Sequence, residues 1–241
     1  MSYEKAVAGI WLNRRQAREV DRVAIEMWGV SGLVLMENAG RGVVDVLCGE
    51  GQVNRQSRVV VCAAKGNNGG DGFVIARHLL LRGVPVEVLL AAEPGELQGD
   101  ARANFDILRR TTVPWKSWGS TGGNGGHPRE FLERALTEAT WIVDALLGTG
   151  ASGPPREPIA GIIEAMNQSP AARLAVDVPS GLDCESGAEF SPTVQATLTC
   201  TLAARKSGFQ NPAAARCLGA VRVLDIGLPP ELVRSVTERG A

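Results

Sequence analysis

The chain has 241 residues, 44% of them hydrophobic and 21% charged, with a formal net charge of −1. That length can bury a sizeable core as one large α/β domain or two small ones, and the mixed charge argues against a basic footprint for nucleic acid or an anionic membrane. Five cysteines (Cys48, Cys62, Cys184, Cys200 and Cys217) form no CxxC pair and only His78 and His127 supply imidazoles, which argues against a zinc site or a Ser-His-Asp triad.

Asn13 followed by Gln16 marks a helix start, and Val20, Val23, Ala24 and Met27 recur at helical spacing toward Gly29. Ser31 can cap a second helix through Met36, Ala39, Val43 and Leu47, so two helices precede the first strong strand and are expected to cover the domain. His78 reads as ordinary helix packing. Apolar, β-rich runs then fall at 58–63, 84–90, 141–146, 173–178, 197–202 and 221–226, separated by helical stretches at 71–81, 100–109, 128–139 and 158–167. Nearly continuous apolar strands alternating with single helices predict a Rossmann-like three-layer α/β/α sandwich with a mostly parallel sheet. The stretch GSTGGNGG at 119–126 reads as a flexible surface loop inside one domain spanning 1–241. Trp115 and Trp118 before it read as packing residues. No apolar run approaches the ~20 residues that span a bilayer, and the first nine residues lack a secretory layout, so the cytoplasm is the expected compartment.

In open α/β sheets ligands bind outside the carboxyl ends of the strands, so polar loops after strands carry the functional signal. Three stand out. The first, Gly66-Asn67-Asn68-Gly69-Gly70-Asp71-Gly72, is expected to be a glycine-rich loop leading into a helix from Phe73, able to bring backbone N–H groups to a phosphate. It is neither GxGxxG nor a P-loop, because Lys65 precedes the glycines and no GK[ST] follows. The second follows Asp144 and runs through Gly148, Thr149, Gly150, Ala151, Ser152, Gly153 and Pro154. The third is Asp177-Val178-Pro179-Ser180-Gly181-Leu182-Asp183, where proline and glycine would hold Asp177 and Ser180 rigidly. Taken singly, the bland reading of each is a capped or structural turn, which seven polar or glycine residues in succession disfavour for the first loop and which stands at even odds for the second. Three polar strand-end loops in one sheet, however, converge on a single crevice rich in carboxylate, amide and hydroxyl oxygen, suited to a hard and preferably monovalent cation.

With MENAG at 36–40, GNNGGDG at 66–72, VDALLGTG at 143–150 and DVPSGLD at 177–183, the sequence resembles the YjeF N-terminal family of NAD(P)H-hydrate epimerases from about Leu12 to Leu232. The resemblance implies an isomerase of cofactor repair, interconverting the R and S forms of NADHX and NADPHX. It implies substrate binding by Asn67, Asn68, Gly69, Gly70, Asp71, by Gly148 to Pro154, and by Asp177, with Asp177 the candidate catalytic carboxylate. It implies potassium held by Asn68, Asp144 and Ser180 with backbone carbonyls. A homodimer and a separate NAD(P)H-hydrate dehydratase as functional partner are implied as well, with no dehydratase domain in this chain. Lys206 stands where the family has a lysine, able to meet a phosphate or a carboxylate, and Arg205 stands where the family commonly has proline. A non-catalytic nucleotide-binding or protein-interaction module of the same fold is the alternative. A dehydrogenase would show GxGxxG after the first strand and a ribose-binding acid after the second, and neither stands in the expected place.

Overall fold

Apolar runs without polar alternation become strands buried on both faces. In chain order the elements are α1 (Tyr3–Ala6), β1 (Trp11–Leu12), α2 (Arg14–Arg22), α3 (Gly32–Gly49), β2 (Val59–Ala63), α4 (Asn67–Leu81), β3 (Val86–Leu90), α5 (Gly99–Leu108), β4 (Trp115–Ser117), α6 (Pro128–Glu138), β5 (Trp141–Ala145), α7 (Ile159–Gln168), β6 (Ala172–Val176), β7 (Leu198–Leu202), β8 (Arg205–Lys206), α8 (Ala215–Leu218), β9 (Ala220–Leu224) and α9 (Pro230–Arg239). They come from a computed structural model that describes residues 2–118 and 128–239; the loop expected at 119–126 and His127 lie outside the described residues. The six strands expected from the sequence all form, with ends shifted by at most two residues.

Seven strands make one sheet in the order β4-β3-β2-β5-β6-β7-β9, and every neighbouring pair is parallel. Side chains alternate across it. Val59, Val61, Ala63, Val86, Val88 and Val143 join Leu47 of α3, Phe73 and Leu79 of α4 and Phe105 of α5 on one face. Val60, Cys62, Leu89 and Ile142 join Leu132 of α6 and Ile162, Ile163 and Met166 of α7 on the other. The fold is therefore a three-layer α/β/α sandwich. Edge strand β4 escapes the sequence pattern because it is only three residues long, and its Trp115 packs edge-to-face on Phe105 at 5.0 Å between centroids.

A third cluster forms the cover: Val20, Val23 and Ala24 meet Leu35, Ala39, Ile226, Leu232, Val233 and Val236. Helix α2 starts on a reciprocal cap, Asn13 Oδ1 accepting from Gln16 N–H at 2.8 Å and Gln16 Oε1 from Asn13 N–H at 3.0 Å. The helix then widens into a π turn over Val23–Met27. That corrects one expectation. A uniform 3.6-residue period places Met27 on the apolar face, but the extra residue in a π turn rotates the helix beyond it, and Met27 is 61% exposed.

Candidate active site

Strand β2 is the point where strand order reverses. The chain runs outward from β2 to β3 and β4, then returns across β2 to β5 and builds the other half. Connections leaving β2 and β5 diverge, and a crevice opens between their carboxyl ends. A cavity of about 560 Å³ occupies this position, walled by 64–68 after β2, 146–151 after β5, Asp177 after β6, and residues of α2, α3 and α5.

GNNGGDG is not a loop. Gly66 is extended, φ −82° and ψ −177°, and acts as N-cap, so the helix begins at Asn67 and contains the whole run to Asp71. The first main-chain bond of that turn is Gly70 N–H to Gly66 O at 3.1 Å, which leaves the N–H groups before it open toward the cavity end. The glycines serve close packing rather than a turn: a Cβ on Gly69 would lie 1.7 Å from Ala64 O, and one on Gly70 2.6 Å from the Met36 side chain. Glycine-rich composition therefore misleads about secondary structure here, because tight helix–strand and helix–helix contact demands the same residue as a turn.

Of the residues singled out above, Asn67, Asn68, Asp71, Gly148, Thr149, Gly150, Ala151 and Asp177 line the cavity. Gly69 and Gly70 belong to the first turn of α4 and pack against Ala64 and Met36, and Ser152 and Gly153 line a small neighbouring recess with Pro179 and Gly181. Pro154 lines neither.

Asp144 is the penultimate residue of β5 and has no solvent exposure. Its Oδ1 accepts from Ser180 Oγ–H at 2.6 Å and Leu146 N–H at 3.2 Å, and its Oδ2 from Ser180 N–H at 2.8 Å. Burial outweighs these bonds and pushes the carboxyl up to about 6. Ser180 Oγ also accepts from Leu147 N–H at 2.9 Å, while Asn68 Nδ2 donates to Leu147 O at 3.1 Å. These bonds tie together the loops after β5 and β6 and the first turn of α4. Asn68 Oδ1, in contrast, is buried with no hydrogen-bond partner.

Asp177 is held differently. It has φ +65°, a left-handed backbone that side-chain-bearing residues seldom adopt. Oδ1 meets Lys206 Nζ at 2.7 Å and Leu202 N–H at 3.2 Å. Lys206, buried to 2% exposure, also donates to Thr201 Oγ1, Leu202 O and Ala204 O at 2.9–3.0 Å. Its charge is thus spent on Asp177 and the surrounding oxygens, and Oδ2 is the oxygen of Asp177 left for the cavity. Arg205, at the proline position, reaches outward to Glu4 at 3.4 Å and over the Trp11 ring at 6.0 Å. Asp71 is 6% exposed with no hydrogen bond or ion pair among the described residues; burial, with the charges of Asp177 and Asp21, holds it well above the usual carboxylate range.

Sequence reasoning missed the wall supplied by α2, where Arg18, Asp21 and Ile25 line the cavity. The signal was present: Arg14, Arg18 and Asp21 succeed one another at four- and three-residue spacing along one stripe, beside the apolar stripe that marks the helix. Arg14 pairs with Asp183 at 2.7 Å and donates to Ala151 O, latching this helix to two strand-end loops. His78 bonds Glu37 Oε1 at 2.8 Å, between α4 and α3.

A doubly flanked parallel sheet with a polar cavity at its switch point defines a Rossmann-like α/β protein that takes its ligand at the strand ends. Residues 32–208 match the family described as YjeF-related protein N-terminus, and the chain belongs to that family. It is 44% identical to an NAD(P)H-hydrate epimerase of Pirellula staleyi over 93% of this chain and 95% of that protein. A Rhodopirellula baltica protein of the same name is 41% identical, over 91% of this chain and 85% of the relative. A bifunctional NAD(P)H-hydrate repair enzyme Nnr of Moorella thermoacetica is 39% identical, and the match spans 89% of this chain but 40% of that protein. The crystal structure of the yeast protein YNL200c superposes with a TM-score of 0.77 at 26% identity, covering 94% of this chain and 93% of the yeast chain.

Proposed function

We propose that this protein is an NAD(P)H-hydrate epimerase that interconverts the R and S epimers of NADHX and NADPHX. The observation that carries the reading is the switch-point cavity, in which the open N-terminus of α4 and a single lysine-braced carboxylate, Asp177, face the same space. A dinucleotide needs N–H donors for its pyrophosphate, and a hydrated nicotinamide needs an anionic group beside the ring.

At C6 the hydroxylated carbon adjoins the ring nitrogen, whose lone pair assists departure of the oxygen and leaves an iminium that water re-enters from the other face. No redox step is required. Asp177 stabilises the cationic ring and exchanges a proton with the C6 oxygen, and the enclosing α2 and α3 limit competing reactions. Lys206 fixes that carboxylate in place. The loop 148–154, latched by Arg14, lies along the dinucleotide.

Potassium suits the cluster beneath. An orphaned buried acceptor, Asn68 Oδ1, stands with the Asp144–Ser180 pair in an oxygen-only donor set, and the described residues hold no cluster of three His, Cys, Asp or Glu fit for a transition metal. Asn68, Asp144 and Ser180 would hold the ion, which when bound supplies the counter-charge for the buried carboxylate and joins three elements of the site.

The whole of 1–241 serves as one epimerase domain, paired functionally with a dehydratase like that implied by the bifunctional relatives. The apolar surface of Ile25, Met27, Trp28, Leu33 and Val34 supports a homodimer formed through the leading helices. Five free thiols support a reducing, cytoplasmic setting, and among the described residues no helix is long and apolar enough to cross a membrane.

The test mixes purified protein with equilibrated R,S-NADHX in potassium buffer, adds an S-specific dehydratase with ATP, and follows NADH absorbance. Full, fast recovery that slows to the spontaneous rate without this protein supports the reading. Failure to accelerate the R fraction replaces it with a binding module.

A further inference from the structure

Moving the C6 hydroxyl from one face of the ring to the other requires protonation of the leaving oxygen on one side and deprotonation of the entering water on the other. One fixed carboxylate serves one side. Asp177 enters the cavity from the sheet, at the end of β6, and Asp21 lines the same cavity from α2 in the covering layer. Asp21 has no hydrogen bond or ion pair among the described residues, so no structural role consumes it. Its helix commits the neighbouring stripe to the cover, with Val20 and Ala24 buried, and widens into a π turn immediately beyond it, a distortion found frequently at functional sites.

On the epimerase reading, we propose that Asp21 is the second catalytic carboxyl, working on the face of the nicotinamide ring away from Asp177. In its acid form Asp21 delivers its proton to the C6 oxygen. The C6–O bond breaks with its electron pair leaving on water, and the nitrogen lone pair becomes the N1=C6 π bond. Water then forms the new C6–O bond from the other face, the π pair returns to nitrogen, and the surplus proton passes to Asp177. The opposite epimer runs the same steps backwards, and net flux in one direction returns the proton through solvent.

Charge around Asp21 suits the role. Asp177 faces it with Lys206 behind, Asp71 joins from α4, and Arg18 lies one turn back on its own helix. Asp21 is an exposed residue at the edge of the cavity, where the protein packed around its carboxyl and the Asp177 charge raise it to about 6, with Lys206 opposing. A proton is therefore available to it near neutrality.

The experiment compares wild type, Asp21→Asn and Asp21→Glu in the coupled NADHX assay, with incorporation of oxygen-18 from labelled water at C6 as a second readout. For Asp21→Asn, kcat is expected to fall about 100-fold or more with KM within about threefold, and label incorporation to fall in parallel. A kcat within about twofold of wild type, or a raised KM alone, overturns the proposal and leaves Asp21 a wall residue. If Asp21→Asn does not fold, Asp21→Glu decides through the pH profile: the alkaline limb of kcat moves if the carboxyl is catalytic, and an unmoved limb overturns it. An inactive wild type would sink the epimerase reading itself, whereas active wild type with active Asp21→Asn sinks only the role of Asp21.

Discussion

Asp177 combines a left-handed backbone with a buried ion pair, two costly features at one position. The Lys206 contact fixes which carboxylate oxygen is engaged, so the other is presented in one orientation. Asp177→Asn keeps the shape but leaves a lysine charge buried beside a neutral amide. It should lower kcat about 100-fold or more and lower stability by about 3 kcal/mol. Coupled kinetics and urea denaturation, run separately, measure the two effects. Strand-end position made Asp177 legible in the sequence, as it did Asp144. The partner of Lys206 was not legible, because a phosphate and a carboxylate were equally available until the parallel neighbours β6 and β7 set Val176 opposite Cys200. The orphaned oxygen of Asn68 is likewise a property of packing alone.

Among the elements, α4 and α2 differ in what their residues reveal. In α4 the run of glycines suggested a loop, yet it is the tightest helix–strand contact in the site. Gly69→Ala should therefore destabilise the fold by about 3 kcal/mol and weaken substrate binding, since the added Cβ meets main chain that cannot yield as a side chain could. Thermal melts and KM together check this. In α2 the start was legible to the residue, because a cap is written in local chemistry. Asn13→Ala should cost about 1 kcal/mol in chemical denaturation. What stayed hidden was the function of its polar stripe: charged residues on a surface helix normally face water alone, and only the closure of α2 over the strand ends brings the exposed Arg18 and Asp21 to the edge of the cavity.

For the whole molecule, layer count and strand placement came from apolar runs, and the sequence expectation of a mostly parallel sheet sharpened to an entirely parallel one. Strand order was not legible, since no periodicity records which strands become neighbours. Potassium, if it sits as proposed, reports on the assembled molecule. Asp144 is raised to about 6 from an ordinary 3.8 when burial acts without a counter-ion. The folded state then binds the proton more tightly than the unfolded one, so stability from this group is full below 3.8 and is lost as pH rises through 6. Potassium compensates the ionised form. Exchanging lithium for potassium should therefore raise Tm more at pH 7.5 than at pH 5, and an equal shift at both would count against Asp144 as a ligand.

The central crossing of the sheet also bears on how the protein is made. β2 and β5 pair Val59 with Trp141, so the two walls of the crevice are separated by just over a third of the polypeptide. A nascent chain that has emerged only through β4 carries the glycine-rich helix start but neither Asp144 nor Asp177. Such long-range parallel pairing forms slowly, because loop closure must be met before any contact repays it. Affinity for a dinucleotide would thus arise late in synthesis, and an excess of ligand would favour chains that have completed the central crossing over those arrested before it.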